Sequence, residues 1–211
     1  MESFNSEPGR SGEEAIFFDS IADKWDGMQD ITKLTDTLKK GLLARGTLPD
    51  EHIIDIGCGT GNSTAVILEI LSENGRITAI DISKAMIEKA KSKIKDSRAT
   101  FYVTSVNNIP AHDSSIDRAI CYSVWPHVRD QIKAIREISR VLKPGGAVHI
   151  WHTVSRATVN EIHAGIPGTV GNDRLPPASE VADLLRVNGF DIIDEIDNTE
   201  QYLVSGIKKE L

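Results

Sequence analysis

Apolar and polar positions along this chain follow two rhythms that take turns. Residues 52–56, "HIIDI", form an apolar run of strand length, and Val66, Ile67, Ile70 and Leu71 then recur at helical spacing. Asn74-Gly75 turns the chain into a second strand, "RITAID", followed by a helix whose stripe is Met86, Ile87, Ala90 and Ile94. "ATFYVTS" and "IDRAICYS" read as the third and fourth strands. Ile132, Ile135, Ile138 and Val141 mark a helix that Pro144-Gly145-Gly146 ends, and "AVHIWH" is a fifth strand. A last helix runs through Val181, Leu184 and Leu185, with Ser179 as its N-cap and Gly189 just past its end. Two late strands follow, about 190–196 and 201–207. Upstream, two amphipathic helices fit between Ile16 and Leu43, broken around Asp26-Gly27. The polar residues 1–14 read as a disordered tail, leaving 15–211 as a single domain. Regular β-α alternation predicts an α/β fold: a doubly wound, seven-stranded, mostly parallel sheet, antiparallel only where the last two strands meet.

Composition narrows the function classes. The 211 residues are 40% hydrophobic and 26% charged, a globular balance with enough chain for a sizeable core. A net charge of −7 supplies no positive field for nucleic acid or for an anionic membrane, so neither is expected as a partner. Two cysteines far apart, Cys58 and Cys121, point to a reducing compartment rather than a disulfide framework. The first residues lack the apolar core of a signal peptide and no apolar run has membrane length, so a cytoplasmic protein is expected.

The most informative stretch is "DIGCGTGN", where the first strand meets its helix. In a doubly wound sheet this turn lies at the carboxyl end of the strands, where ligands bind. Gly57, Gly59 and Gly61 would let the main chain approach one. A dinucleotide fingerprint needs glycine at the first, third and sixth positions, and neither register supplies the third glycine: Asn62 or Thr64 stands there. That disfavours a nicotinamide-dependent oxidoreductase. A phosphate loop is excluded too, since no Gly-Lys-Ser/Thr follows.

The turn instead resembles the first motif of the class I methyltransferases that use S-adenosylmethionine, in their small-molecule branch. The resemblance runs from about Phe17 to about Lys208. "FFDSIADKWD" is similar to the branch's N-terminal cover helix, with Trp25 where an aromatic is common. Asp81 ends the second strand where the family places an acid for the ribose hydroxyls. "SKAMIEKA", "VTSVNNIPAHDSSID" and "ISRVLKPGGAVHI" resemble the segments that follow. The resemblance implies a Rossmann-like methyltransferase fold, S-adenosyl-L-methionine as cofactor with S-adenosyl-L-homocysteine as product, and a small-molecule methyl acceptor. Its implied cofactor-binding residues are Trp25, Asp55, Gly57, Cys58, Gly59, Gly61, Asn62, Asp81, Ile82, Met86, Ser105, Val106 and Tyr122. Ser105 departs from the pattern, because an acid usually stands there to meet the adenine amine. Met86 and Trp25 read equally well as ordinary core, and Asp117 as structural.

The acceptor side is less defined. "CYSVWPHV" lacks the Asn/Asp-Pro-Pro-aromatic motif of nucleic-acid amino methylation. Trp125 then forms an apolar rim, with His127 as the first candidate base, since imidazole titrates near neutrality. After the fifth strand, His152 ends the strand on the opposite face from His149. If 155–164 is helical, Arg156, Asn160 and His163 share a face, and 155–178 reads either as a solvated loop or as a substrate lid. In the lid reading, His152 and His163 are catalytic, and Arg156 and Asn160 contact substrate. His152, His163 and Asp173 also offer donors for a divalent metal, without diagnostic spacing. A cofactor-binding regulatory or scaffolding protein remains the alternative to an enzyme.

Overall fold

The computed structural model describes residues 10–28 and 30–210. Seven strands form one sheet: β1 (His52–Ile56), β2 (Arg76–Asp81), β3 (Ala99–Val103), β4 (Ile116–Tyr122), β5 (Leu142–His152), β6 (Phe190–Asp197) and β7 (Tyr202–Lys208). Their order is β3-β2-β1-β4-β5-β7-β6, with β7 antiparallel to both neighbours and the other pairs parallel. The strand order reverses at β1, which lies between β2 and β4, and this reversal creates the crevice where such sheets bind ligands.

Among the described residues, seven α-helices pack around the sheet: α1 (Arg10–Ile21), α2 (Ile31–Ala44), α3 (Asn62–Ile70), α4 (Lys84–Lys93), α5 (Gln131–Val141), α6 (Arg156–Ala164) and α7 (Ala178–Val187). Side-chain parity along the strands divides the core. Ile54, Ile56, Ala119, Cys121, Val148 and Ile150 face α5 and α7, while Ile53, Ile77, Ala79, Ile120 and Trp151 face α2, α3 and α4. On α5, Ala134, Ile135, Ile138 and Val141 are fully buried, each larger side chain contributing roughly 1.5–3 kcal/mol.

Several boundaries differ from the sequence reading for physical reasons. Residues 10–14, expected in the tail, open α1, and Glu14 is buried against Arg129; residues 1–9 lie outside the described residues. Ile132, assigned to the apolar stripe of α5, is half exposed, because Ala134 occupies the sheet-facing position. The third strand stops at Val103, where the Thr104 amide turns to the Asp81 carbonyl. The fifth strand starts at Leu142, five residues early, and Lys143–Gly146 bulge out between its first two pairs with β4. Pro177, not Ser179, precedes the last helix, and Asp197 Oδ2 accepts from the Ala178 amide at 3.3 Å in place of a local cap. Gly189 does lie just past its end, in the left-handed region.

Candidate active site

The turn after β1 is built from backbone. The amides of Gly57 and Cys58 donate to the Ile80 carbonyl at 2.8 and 3.0 Å, tying the turn to the end of β2. Beneath it, Asp55 is fully buried and its Oδ2 accepts from the hydroxyls of Ser63 and Thr64 at 2.7 and 2.6 Å, clasping α3 to β1. Burial pushes its carboxyl up to about 6.

The three glycines serve three different purposes. A Cβ at Gly57 would fall 2.3 Å from the Val124 side chain, and one at Gly61 would meet Ile94 and Ala90 of the neighbouring helix segment. Only at Gly59 would a Cβ enter open space, with Trp25 Nε1 at 3.5 Å as its nearest neighbour. Gly59 is therefore the glycine whose missing side chain leaves room for a ligand, and the other two give space to the protein itself.

A cavity opens at this point. Ile56, Gly57 and Gly59 line it from β1, Ile80, Asp81 and Ile82 from β2, and Ser123, Val124, His127, Val128 and Arg129 from the segment after β4. Met86, Thr104, Ser105, Val106 and Asn107 line one side, and Glu14, Phe18 and Trp25 of the N-terminal segment cover it. That cover is pinned by carboxylates. Asp19 accepts from Ser83 Oγ at 2.6 Å and the Ala85 amide at 2.9 Å. Asp26 accepts from Thr60, Asn62 and Lys93 at 2.5, 3.0 and 2.8 Å.

Asp81 is partly buried, and desolvation raises its carboxyl. Its Oδ2 accepts from the Gly59 amide at 2.9 Å and its Oδ1 from the Ser83 amide at 2.8 Å. Each oxygen keeps a second lone pair, so the carboxylate can still accept two further donors from the cavity. Two vicinal hydroxyls match that capacity, and Ile82, Met86 and Val106 offer apolar surface for a flat ring. Asn107 has a buried Oδ1 without a partner, an acceptor that the sequence reading missed beside Ser105. The residues therefore fit S-adenosylmethionine.

The backbone at Ser123 is left-handed, with φ +53, although serine has a Cβ. This kink ends β4, puts Val124 against Gly57 and brings His127 to the cavity. His127 Nδ1 lies 2.6 Å from Asp173 Oδ2, and Asp173 is fully buried. Arg129 Nη2 makes an ionic contact with Asp173 Oδ1 at 2.8 Å, outside aligned hydrogen-bond geometry. Arg129 Nε donates to Glu14 Oε1 at 2.5 Å, and burial pushes the Glu14 carboxyl up. Phe18 meets the His127 ring edge to face at 5.0 Å, and the His163 ring lies 4.8 Å away.

Several expected site residues stand elsewhere. Trp125 is fully buried in the core rather than on a rim. Tyr122 points to the opposite sheet face, where it packs on Trp151 and bonds Thr153. Asp55, Cys58, Gly61 and Asn62 support the turn without lining the cavity. Arg156 pairs with Asp197 at 2.7 Å, and Asn160 bonds both backbone groups of Leu175, so both fasten α6 to the fold instead of facing an acceptor. His152 is fully buried behind the cavity, where burial lowers its imidazole to about 3. His163 also lies behind His127, Nδ1 toward the Asp173 carbonyl, and burial lowers it. Both Asp173 oxygens face His127 or Arg129, and among the described residues no three His, Cys, Asp or Glu side chains converge as metal ligands.

Residues 54–150 match the family model described as a methyltransferase domain. An O-methyltransferase of Penicillium expansum, cnsE, is 32% identical over 157 residues, which are 71% of this chain and 55% of that protein. The ubiquinone/menaquinone biosynthesis C-methyltransferase UbiE of Vibrio cholerae is 31% identical over 139 residues, 63% of this chain and 54% of that protein. The chain thus spans about half the length of these relatives. In fold, it is similar to a SAM-dependent methyltransferase of Aquifex aeolicus (TM-score 0.70, 19% identity, 88% of this chain and 97% of that one). A possible histamine N-methyltransferase of Thermotoga maritima is also similar (TM-score 0.69, 21% identity, 91% and 98%).

Proposed function

We propose that this chain, which matches a methyltransferase-domain family over residues 54–150 and shares the fold of a solved SAM-dependent methyltransferase over 88% of its length, is a class I methyltransferase that transfers a methyl group from S-adenosylmethionine to a small-molecule acceptor. One observation carries the reading: a single cavity runs from the Gly59–Asp81 corner to His127. The carboxylate that would hold the cofactor and the imidazole of His127 thus share one enclosure.

When bound, the cofactor supplies a methyl group on a positively charged sulfur. Asp81 would accept from the ribose hydroxyls, and Ile82, Met86 and Val106 would flank the adenine. Asn107 Oδ1 or the Ser105 backbone would receive the exocyclic amine that an acid usually meets. Phe18 and Trp25 cover the site and exclude water, and the enclosure aligns the reactants, the main contribution to an in-line displacement. Acidic balance and the closed cover favour a small molecule over a nucleic acid. No described helix is long and apolar enough to cross a membrane. The two free buried thiols, Cys58 and Cys121, suit a cytoplasmic setting.

Calorimetry with S-adenosylmethionine and methyl-labelled cofactor incubated with a metabolite extract together test the reading. Saturable binding with label transferred to a small product is expected. Binding without any turnover would point to a cofactor-binding regulatory protein, and absence of binding would end the proposal.

A further inference from the structure

We propose that Asp173, reaching across from the loop after α6, is the positioning residue that makes His127 a base at Nε2, and that the acceptor presents a phenol- or enol-type hydroxyl to it. This rests on the methyl-transfer reading above and adds the proton's path and the chemical class of the acceptor.

The geometry of the pair sets the tautomer. Asp173 has no exposure, and as a carboxylate it only accepts, so the 2.6 Å contact requires the proton of a neutral His127 on Nδ1. That leaves the lone pair on Nε2, which has no hydrogen-bond partner among the described residues in a ring that lines the cavity. Phe18 and His163 pack on the ring and limit its rotation.

Charge bookkeeping points the same way. Glu14 and Asp173 bring two buried carboxylates to the network, and Arg129 brings one guanidinium. With His127 neutral the network is one positive charge short, and a proton arriving at Nε2 completes it. The raised Glu14 carboxyl reports the burial of that same carboxylate. Other titratable groups facing His127 leave the new charge unopposed: Asp81 on β2 is an acid, while burial keeps His152 on β5 and His163 on α6 below the usual histidine range.

This arrangement selects among acceptors. A neutral amine attacks with its own lone pair and needs no base before the bond forms. A phenol-type hydroxyl, with a pKa of about 10, lies within a few units of an imidazole and gains most from one. The proton leaves oxygen for Nε2, the oxygen's electron pair forms the bond to the methyl carbon, and the pair of the C–S bond stays on sulfur. The proton then passes from Nε2 to water. Phe18, Trp25, Val124 and Val128 line the cavity with apolar surface suited to a ring that carries such a hydroxyl.

The test uses the full chain, its Asp173→Asn and His127→Gln variants, and two probe sets: phenol, catechol and 4-nitrophenol against aniline and benzylamine. Nitrogen-15 spectra of His127, read without any acceptor, should show the Nδ1–H tautomer in the wild type and Nε2–H in Asp173→Asn, because an amide turned to donate would claim Nδ1. Label should go to a phenol oxygen. Asp173→Asn should lower kcat on the order of 100-fold or more with KM nearly unchanged, and the loss should shrink for 4-nitrophenol, which ionises by itself. His127→Gln should behave likewise, with cofactor affinity retained in both variants. An unchanged tautomer and kcat in Asp173→Asn would overturn the positioning role. Label on amines alone would overturn the acceptor class. A wild-type chain that fails to bind S-adenosylmethionine in calorimetry would instead sink the methyl-transfer reading on which this rests.

Discussion

At one end of the cavity, Gly57, Gly59 and Asp81 come from consecutive βα turns and are set by main-chain bonds: the Gly57 and Cys58 amides on Ile80, and the Gly59 amide on Asp81. At the other, His127, Asp173, Arg129 and Glu14 arrive from three distant segments and meet only through side chains. The first end is a local consequence of the sheet, whereas the second depends on the docking of α1 and the loop after α6. Damage at the first should therefore appear in folding and cofactor affinity, and damage at the second in turnover.

The largest effect that would break this contrast lies inside the glycine turn. Gly57→Ala and Gly59→Ala share a left-handed backbone penalty of roughly 1–2 kcal/mol. Gly57→Ala adds the collision with Val124, a further ~1–3 kcal/mol of overpacking. Urea denaturation should find Gly57→Ala the less stable of the two, and Gly59→Ala the weaker cofactor binder for its stability. Equal stabilities would mean that the Val124 contact does not constrain the turn.

Asp81→Ala comes next. Two charge-assisted bonds at about 1.5–3 kcal/mol each would be lost, so calorimetric affinity for S-adenosylmethionine should fall on the order of 100-fold or more. A change below threefold would remove Asp81 from the cofactor site.

Asp55 sharpens the comparison through pH. Its carboxyl, near 3.8 when unperturbed, sits at about 6 in the folded chain. Between those values the folded protein holds a proton that the unfolded chain has released, so this group favours folding more as pH falls from about 6 toward 4, and the ionised form is costly above. Asp55→Asn keeps an acceptor for Ser63 and Thr64 but not the titration. Moving from pH 7 to 4.5, the wild type should gain on the order of 1–3 kcal/mol relative to the variant in urea midpoints. Parallel pH profiles would contradict a buried, proton-binding Asp55.

The smallest effect is expected at Arg156. Its ion pair with Asp197 is partly exposed, so Arg156→Ala should cost less than about 1 kcal/mol and leave kcat and KM unchanged. A strong loss of turnover would return this residue to the acceptor site.

The same contrast explains what could be read from the sequence. The strands, the helices and the glycine turn were legible, because a period of two or of 3.6 residues is written in consecutive positions. The acceptor end was not. Glu14 and Arg129 are 115 residues apart, and His127 and Asp173 are 46 apart, distances at which no local pattern signals a pairing. Glu14 reads as part of the tail because its neighbours are polar. Trp125 is misplaced because the kink at Ser123 resets the alternation of faces, and a serine there gives no warning that a glycine would have given, whereas Tyr122 lies before the kink and simply keeps the parity of Ile120, away from the cavity. His127 alone was legible as chemistry, and its partner Asp173 was seen only as a candidate metal ligand.

Ser123 carries one more consequence, for anyone who evolves this chain toward heat resistance. A non-glycine residue in left-handed backbone holds on the order of 1 kcal/mol of torsional strain. In a domain of this size, releasing it is worth roughly 2–4 °C of melting temperature. A screen scored on survival of heating would therefore be drawn to Ser123→Gly and would loosen the segment that carries Val124 and His127. Thermal robustness and the setting of the imidazole compete at that one torsion angle.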